Sequence, residues 1–154
     1  MRKNFKLIVL LCLLAQIVNA QVPTWSVTPS NFTYSMNVTT KLSLDCIDMD
    51  DPSDIIGVFV GAECRGVAYT SNIVEGNYLA FLTVYSNNTS GETVTFKVYD
   101  ASADLEHDAA TEILFQDGAS YGFPTTPYTV STNNQPTDIS LSSSSAEENV
   151  QDIV

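Results

Sequence analysis

The densest group of residues able to do chemistry is a run of aspartates, with Asp45, Asp48, Asp50, Asp51 and Asp54 inside ten positions closed by Pro52. Carboxylates this close repel one another unless water or a cation separates them, and hard oxygen ligands gathered on a loop suit calcium. Asp48, Asp50, Asp51 and Asp54 are therefore the candidate calcium ligands, with a plain solvated acidic loop as the alternative. The spacing lacks the glycine and closing glutamate of an EF-hand. A second acidic stretch, 100–108, holds Asp100, Asp104, Glu106 and Asp108 around the single histidine, His107. Hydrolysis would need a nucleophile, a base and an orienting group within reach of one another. The chain has no Gly-x-Ser-x-Gly elbow and no histidine pair, so His107 reads as a surface residue and the protein as noncatalytic. A glycosidase-type pair would need positioned acids, which abundance does not supply.

Three further residues carry possible chemistry. Arg65 is able to clamp a carboxylate ligand through its fork of donors; the alternative is a counter-ion to Glu63 or Asp54. Cys46 and Cys64 form a disulfide in an oxidising compartment if they lie close. If Cys46 ends one strand and Cys64 begins the return of the next hairpin, they stand about 20 Å apart and no bridge is possible.

These residues need elements to hold them, and the hydrophobic pattern supplies strands. In 32–46 the even positions run Phe32, Tyr34, Met36, Val38, Thr40, Leu42, Leu44 and Cys46, whereas every odd position is polar. That alternation predicts one long strand with a core face and a wet face, bending near Thr39 and Thr40 because of its length. Ile55–Val60 is apolar on both faces, as in an inner strand covered from both sides. Gly61-Ala-Glu63 then predicts a turn, and Cys64–Tyr69 an antiparallel return in which Gly66 makes room for a close neighbour or a bulge. Tyr78–Tyr85 and Glu92–Tyr99 read as a hairpin around a loop rich in Asn and Ser. Thr111–Phe115 and Thr129–Ser131 are shorter strands. No stretch from Gln21 to Val130 has a convincing helical period, so the expected fold is an all-β antiparallel β-sandwich of immunoglobulin-like size over 21–130.

The N-terminus places this domain outside the cytoplasm. Basic residues Arg2, Lys3 and Lys6, the apolar run 7–17 and the small-residue pattern Val18-Asn-Ala20 form a secretory signal peptide over 1–20. The apolar run is shorter than the roughly 20 residues a membrane span needs. Removing it leaves three cations, Lys41, Arg65 and Lys97, against eighteen carboxylates, a net charge of −15. With so few cations no basic patch forms, which excludes nucleic acid as a partner and disfavours anionic membranes. Asn31, Asn37, Asn87 and Asn88 head Asn-x-Ser/Thr sequons, a weak mark of surface exposure.

The composition changes at Ser131. Residues 131–136 form a polar linker, and from Pro136 the order Pro-Thr-x-Ile-x-Leu-Ser, a serine run and Glu148-Asn resembles the opening strand of bacterial cadherin-like repeats. The resemblance covers 136–154, so 137–154 would be the truncated start of such a repeat. It implies that Glu148 helps bind calcium at the junction between repeats, although Asn133, Asn134 and Gln135 stand where that family's linker normally has aspartates. The main domain is itself similar to a β-sandwich module of secreted and surface bacterial proteins. The likeness runs through Trp25, Phe32-x-Tyr-Ser-Met36, 54–60, Glu63-Cys-Arg-Gly-Val-Ala68, Val94-Thr-Phe-Lys-Val-Tyr-Asp100 and Gly122-Phe-Pro124.

The resulting expectation is a noncatalytic extracellular module of a larger cadherin-like surface or adhesion protein, associated with calcium, whose partners are other surface proteins or glycans. The alternative is a carbohydrate-binding module attached to a secreted enzyme. For that role Trp25, Tyr69, Tyr78, Tyr85, Tyr121 and Tyr128 are the candidate stacking platforms, although aromatics in a sandwich more often fill the core.

Overall fold

A computed structural model describes residues 21–132. The signal peptide over 1–20 and the cadherin-like segment with Glu148 lie outside the described residues. Within them the chain forms ten strands: β1 (Tyr34–Leu44), β2 (Ile47–Asp48), β3 (Ile55–Val60), β4 (Glu63–Tyr69), β5 (Asn72–Val74), β6 (Asn77–Ser86), β7 (Ser90–Asp100), β8 (Leu105–Gln116), β9 (Ser120–Tyr121) and β10 (Tyr128–Ser131). One sheet has the order β10-β1-β6-β5, with β2 and β9 also on β1, and the other has the order β4-β3-β7-β8. The architecture is therefore the expected all-β sandwich. No helix among the described residues is long and apolar enough to cross a membrane.

The period-2 pattern of β1 becomes its burial pattern. Met36, Val38 and Leu42 point into the core, opposite Val84 and Leu82 of β6 and beside Val130 of β10. From the other sheet Ile56, Val58, Val94, Phe96, Val98, Ile113 and Phe115 meet them. Each such side chain contributes about 1.5–3 kcal/mol by leaving water. The strand runs unbroken through Thr39 and Thr40 for 11 residues. Thr40 lies on the buried face, where its hydroxyl donates to the Tyr128 carbonyl at 2.7 Å.

β3 is apolar on both faces for a reason the pattern only half revealed. Its inner residues meet the core, while Trp25, from the segment ahead of the first strand, lies on its outer face. The Trp25 ring packs edge-on to Phe59 with centroids 5.6 Å apart. It rests where a side chain at Gly57 would stand, since a Cβ there would come within 2.6 Å of the indole. The β3–β4 hairpin pairs Val58 with Gly66 and then Phe59 with Cys64, leaving Arg65 as the extra residue of a bulge. A Cβ on Gly66 would lie 2.6 Å from the Thr83 carbonyl, so glycine lets β4 close onto β6 and joins the sheets at one corner. At the other corner the Ser131 N–H donates to Thr111 Oγ1 at 3.0 Å.

Several sequence expectations are corrected. Tyr78–Tyr85 and Glu92–Tyr99 are not a hairpin, because β6 pairs β1 whereas β7 pairs β3 and β8. The link between them is a corner stitched to the N-terminal segment. Asn87 accepts the Thr33 N–H at 3.1 Å and donates to the Asn31 carbonyl at 3.0 Å, and Ser86 Oγ accepts the Asn88 N–H at 2.8 Å. The second acidic stretch is mostly strand, since β8 begins at Leu105. The short strands β9 and β10 run parallel to β1 as additions to an otherwise antiparallel sandwich. Ser131 belongs to β10 and Thr132 N–H donates to the Ser43 carbonyl at 3.1 Å, which leaves the first two linker residues inside the fold.

Candidate functional site

The acidic loop and the turn after β7 meet at one end of the sandwich around an open groove of about 520 Å³. Leu44, Ile47, Met49 and Pro52 give it apolar walls, and Asp45, Asp48, Asp50, Asp51, Asp54, Asp100 and Ser102 supply its oxygens. It forms here because Asp45 and Cys46 take left-handed conformations, with φ of 50° and 63°, and turn β1 tightly into β2. The chain then folds back through Asp51, whose Oδ1 accepts the Ser53 N–H at 2.8 Å and whose carbonyl accepts the buried Thr70 hydroxyl at 2.7 Å. The notch is thereby pinned to the end of β4.

Asp54 and Asp100 anchor the floor, and their environments differ. Asp54 is 1% exposed and accepts the Ala101 N–H at 2.9 Å. Burial pushes its carboxyl above the ordinary carboxylate range, with the nearby charges of Asp100 and Asp51 adding to the effect, against the lowering hydrogen bond from Ala101. For Asp100 burial also acts upward, yet the hydrogen bonds from Ser102 and Ala103 prevail and hold it below the ordinary range. One oxygen of Asp100 accepts the Ser102 N–H at 2.9 Å, the Ser102 hydroxyl at 2.7 Å and the Ala103 N–H at 3.0 Å.

The four aspartates expected to share a cation are thus brought to one groove with separate tasks. Asp48 is paired to Lys41 at 2.7 Å, Asp51 caps its own turn, Asp54 ties the loop to Ala101, and Asp50 is exposed. Among the described residues no three carboxylate, thiol or imidazole groups converge as a metal-binding set. The groove offers oxygens and crowded negative charge, which a cation would relieve, without a closed shell of its own.

The other candidates resolve into structure. Arg65 is 8% exposed. It donates to Glu63 at 3.0 Å, to the Tyr85 carbonyl at 3.1 Å and to Glu92 at 3.5 Å, and lies 4.9 Å from the centre of the Phe32 ring. The counter-ion expectation holds for Glu63, while Asp54 is engaged elsewhere and Glu92 takes its place. Cys46 and Cys64 are not bridged, the first lying exposed in the β1–β2 turn and the second half-buried on β4. Burial raises the Cys64 thiol, which lowers its reactivity at neutral pH. His107 is half-buried rather than fully exposed. It stands opposite Val98 on the inward face of β8, with Nε2 closed off from solvent and without a hydrogen-bond partner.

Most of the expected stacking aromatics are engaged with the protein itself. Trp25 covers Phe59, Tyr85 stacks on Phe32 with centroids 6.1 Å apart, and Tyr121 meets Tyr128 edge-on at 5.9 Å. Tyr69 is 54% exposed and Tyr78 is half-buried. The sequence reading overlooked Phe81, which is 46% exposed opposite Thr39 in the middle of the β1 sheet. Its signal was available only through pairing, because a phenylalanine inside a run apolar on both faces looks like core. Comparison with family models, curated proteins and solved structures finds no match to this chain.

Proposed function

We propose that this chain is a noncatalytic extracellular module of a larger cadherin-like surface or adhesion protein, with calcium stiffening the junction to the segment that follows. The observation that carries this is where the chain leaves the sandwich. β10 runs parallel to β1 and pairs Ser131 with Ser43, and Ser43 in turn pairs with Asp48 at the edge of the acidic groove. The outgoing chain and the concentration of carboxylates therefore share one end of the domain. Asp48, Asp50, Asp51 and Asp54 would supply part of a calcium shell and Glu148 a further ligand, which accounts for carboxylates that gather without closing a shell among themselves. The noncatalytic assignment is supported by the structural engagement of Arg65 and the inward placement of His107.

Calcium calorimetry on residues 21–154, repeated on a version carrying the residues that follow, tests the junction. Binding that tightens in the longer protein, is weakened at least about tenfold by Asp51→Asn or Glu148→Gln, and is accompanied by a more extended shape in small-angle scattering is the expected result. Equal or absent calcium binding in both lengths would remove the junction role, and turnover of a polysaccharide substrate would remove the noncatalytic assignment. A carbohydrate-binding role is favoured by a different observation, the character of the outer face of the β1 sheet.

A further inference from the structure

From that outer face we infer a docking surface for a neutral polysaccharide chain. This rests on the module's being a noncatalytic binding domain and names one class of partner for it. The pairing of β1 with β6 sets Ser35 beside Tyr85, Asn37 beside Thr83 and Thr39 beside Phe81, while the intervening residues Met36, Val38, Leu82 and Val84 face the core. The outward orientation is confirmed by the contact of Thr83 Oγ1 with Asn37 Oδ1 at 3.4 Å. On this face Asn37 and Phe81 are exposed and Ser35, Thr39, Thr83 and Tyr85 half-buried, while Ser43, at the end beside Asp48, is buried.

Its charge departs from that of the molecule. In a chain with eighteen carboxylates, the register brings one, Asp48, to this face, at its far end beside Ser43, and Lys41 neutralises it at 2.7 Å. The other acids of the described residues lie in turns, at the groove or on the opposite sheet, and one of them, Asp117, reaches the near end of the row, where its Oδ1 accepts the Ser35 N–H at 3.3 Å. Between these ends lies a row of hydroxyls and an amide beside two rings, Phe81, 46% open, and the half-buried Tyr85.

That combination selects the partner. A cationic protein would be drawn to the acidic end instead, because charge complementarity steers association. A stable protein interface needs an apolar core with a polar rim, and a single exposed phenylalanine among hydroxyls is too little apolar area. Nucleic acid and acidic polysaccharide need cations, and the one here is already paired. A neutral sugar chain fits, since each ring has an apolar C–H face to lay on Phe81 and a rim of hydroxyls to exchange hydrogen bonds with Asn37, Thr39 and Thr83. The extended sheet also presents such groups at regular intervals, with side chains on one face about 6–7 Å apart along each strand.

Affinity electrophoresis and calorimetry with soluble β-glucan, xylan and mannan test this on residues 21–154 produced in a bacterium, so that the Asn37 sequon carries no glycan. Retention by at least one of these polymers is expected, unchanged by a calcium chelator and weakened at least about tenfold in Phe81→Ala. Thr83→Glu, which adds a carboxylate to the face, should weaken binding similarly, while Leu114→Ala, an exposed apolar residue on the other sheet, leaves it unchanged. Matching thermal melts and circular dichroism for all three variants show that folding is intact. No retention by any of the three polymers, equal binding by Phe81→Ala and the parent, or preference for an acidic polysaccharide would overturn the inference. Calcium-dependent stiffening without sugar binding sinks the glycan surface and leaves the junction module standing, whereas polymer cleavage sinks the noncatalytic assignment itself.

Discussion

Gly57→Ala should unseat Trp25, and the consequence is large enough to measure. The new Cβ would stand 2.6 Å and 2.9 Å from two indole carbons and 2.8 Å from the Phe59 ring. β3 is hydrogen-bonded on both sides, to β4 and β7, so it cannot retreat, and the segment carrying Trp25 is the part free to move. A tryptophan ring buries roughly 200 Å²; at about 25 cal/mol per Å² and with the ring only partly sheltered, its docking is worth about 3 kcal/mol. Ejecting it should therefore cost about 2–3 kcal/mol, a substantial part of the 5–15 kcal/mol typical of a domain, and lower the melting temperature by on the order of 10 °C. Trp25 is the chain's single tryptophan, so its fluorescence reports the event directly and should shift to the red. Trp25→Ala alone should cost about 3 kcal/mol by the same burial. Adding Gly57→Ala to it should then cost far less than in the parent, because the one close contact left is the Phe59 ring, which can turn into the space the indole vacates. Additive losses in urea unfolding, or a single mutant whose emission does not move, would refute the placement of Trp25 on β3.

Three other perturbations follow from the same contacts. Arg65→Leu should destabilise the domain by about 3–5 kcal/mol in urea titrations, because Glu92 and the Tyr85 carbonyl lose their buried donor, and Arg65→Lys should recover only part of this, lacking the planar fork. Tyr99 donates to Asp104 at 2.5 Å, and this hydrogen bond, with burial and the Asp104 charge, pushes its hydroxyl up to about 12; Asp104→Asn should bring it back toward the ordinary value near 10 in an ultraviolet phenolate titration. In calcium-free buffer the two floor carboxylates should act oppositely on stability. Asp100, held low in the folded state, stabilises above the ordinary carboxyl range and loses this as the pH falls through its folded value, so Asp100→Asn should cost about 1.5–3 kcal/mol at neutral pH and little in acid. Asp54, held high, opposes folding at neutral pH, so Asp54→Asn should be neutral or stabilising there and lose that advantage as the pH is lowered.

The parts of the fold legible in the sequence are those where local pattern and tertiary demand coincide. The alternation over 32–46 gave the inward residues of β1 because one face meets a core and the other meets water. Ile55–Val60 and the glycine turn after it gave β3 and β4 to within a residue, since a short apolar run ended by a positive-φ glycine has few other ways to fold. The link at 87–89 misled because its Asn and Ser side chains suit a hairpin turn and a corner between sheets equally well. What decides between them is Thr33 and Asn31, more than fifty residues earlier, which bond to Asn87. His107 misled for a related reason. Its acidic neighbours suggested a surface loop, but in a strand neighbours point the other way, so Glu106 and Asp108 face Lys97 and water while His107 turns to the side of Val98 and is half-buried.

The candidate sites show the same division. The aspartates were visible as a group, and the structure does gather them, but local bonds had claimed Asp51 and Asp54 and a cross-strand lysine had claimed Asp48. Counting carboxylates cannot distinguish an ion site from a set of turn-formers, because Asp is favoured in both for the same acceptor oxygens. What gives the cluster a direction is the parallel placement of β10, which delivers the outgoing chain beside Ser43 and Asp48. A parallel pair cannot be joined by a tight turn and leaves no local signature, so the coincidence of exit and acid lies beyond any reading of short stretches. The uncharged face is hidden in a similar way. Ser35, Asn37 and Thr39 announce only a wet face until β6 is set beside them, and with that pairing Phe81 ceases to be a core residue and becomes an exposed ring on a stretch of surface whose acids, Asp117 and Asp48, stand at its two ends.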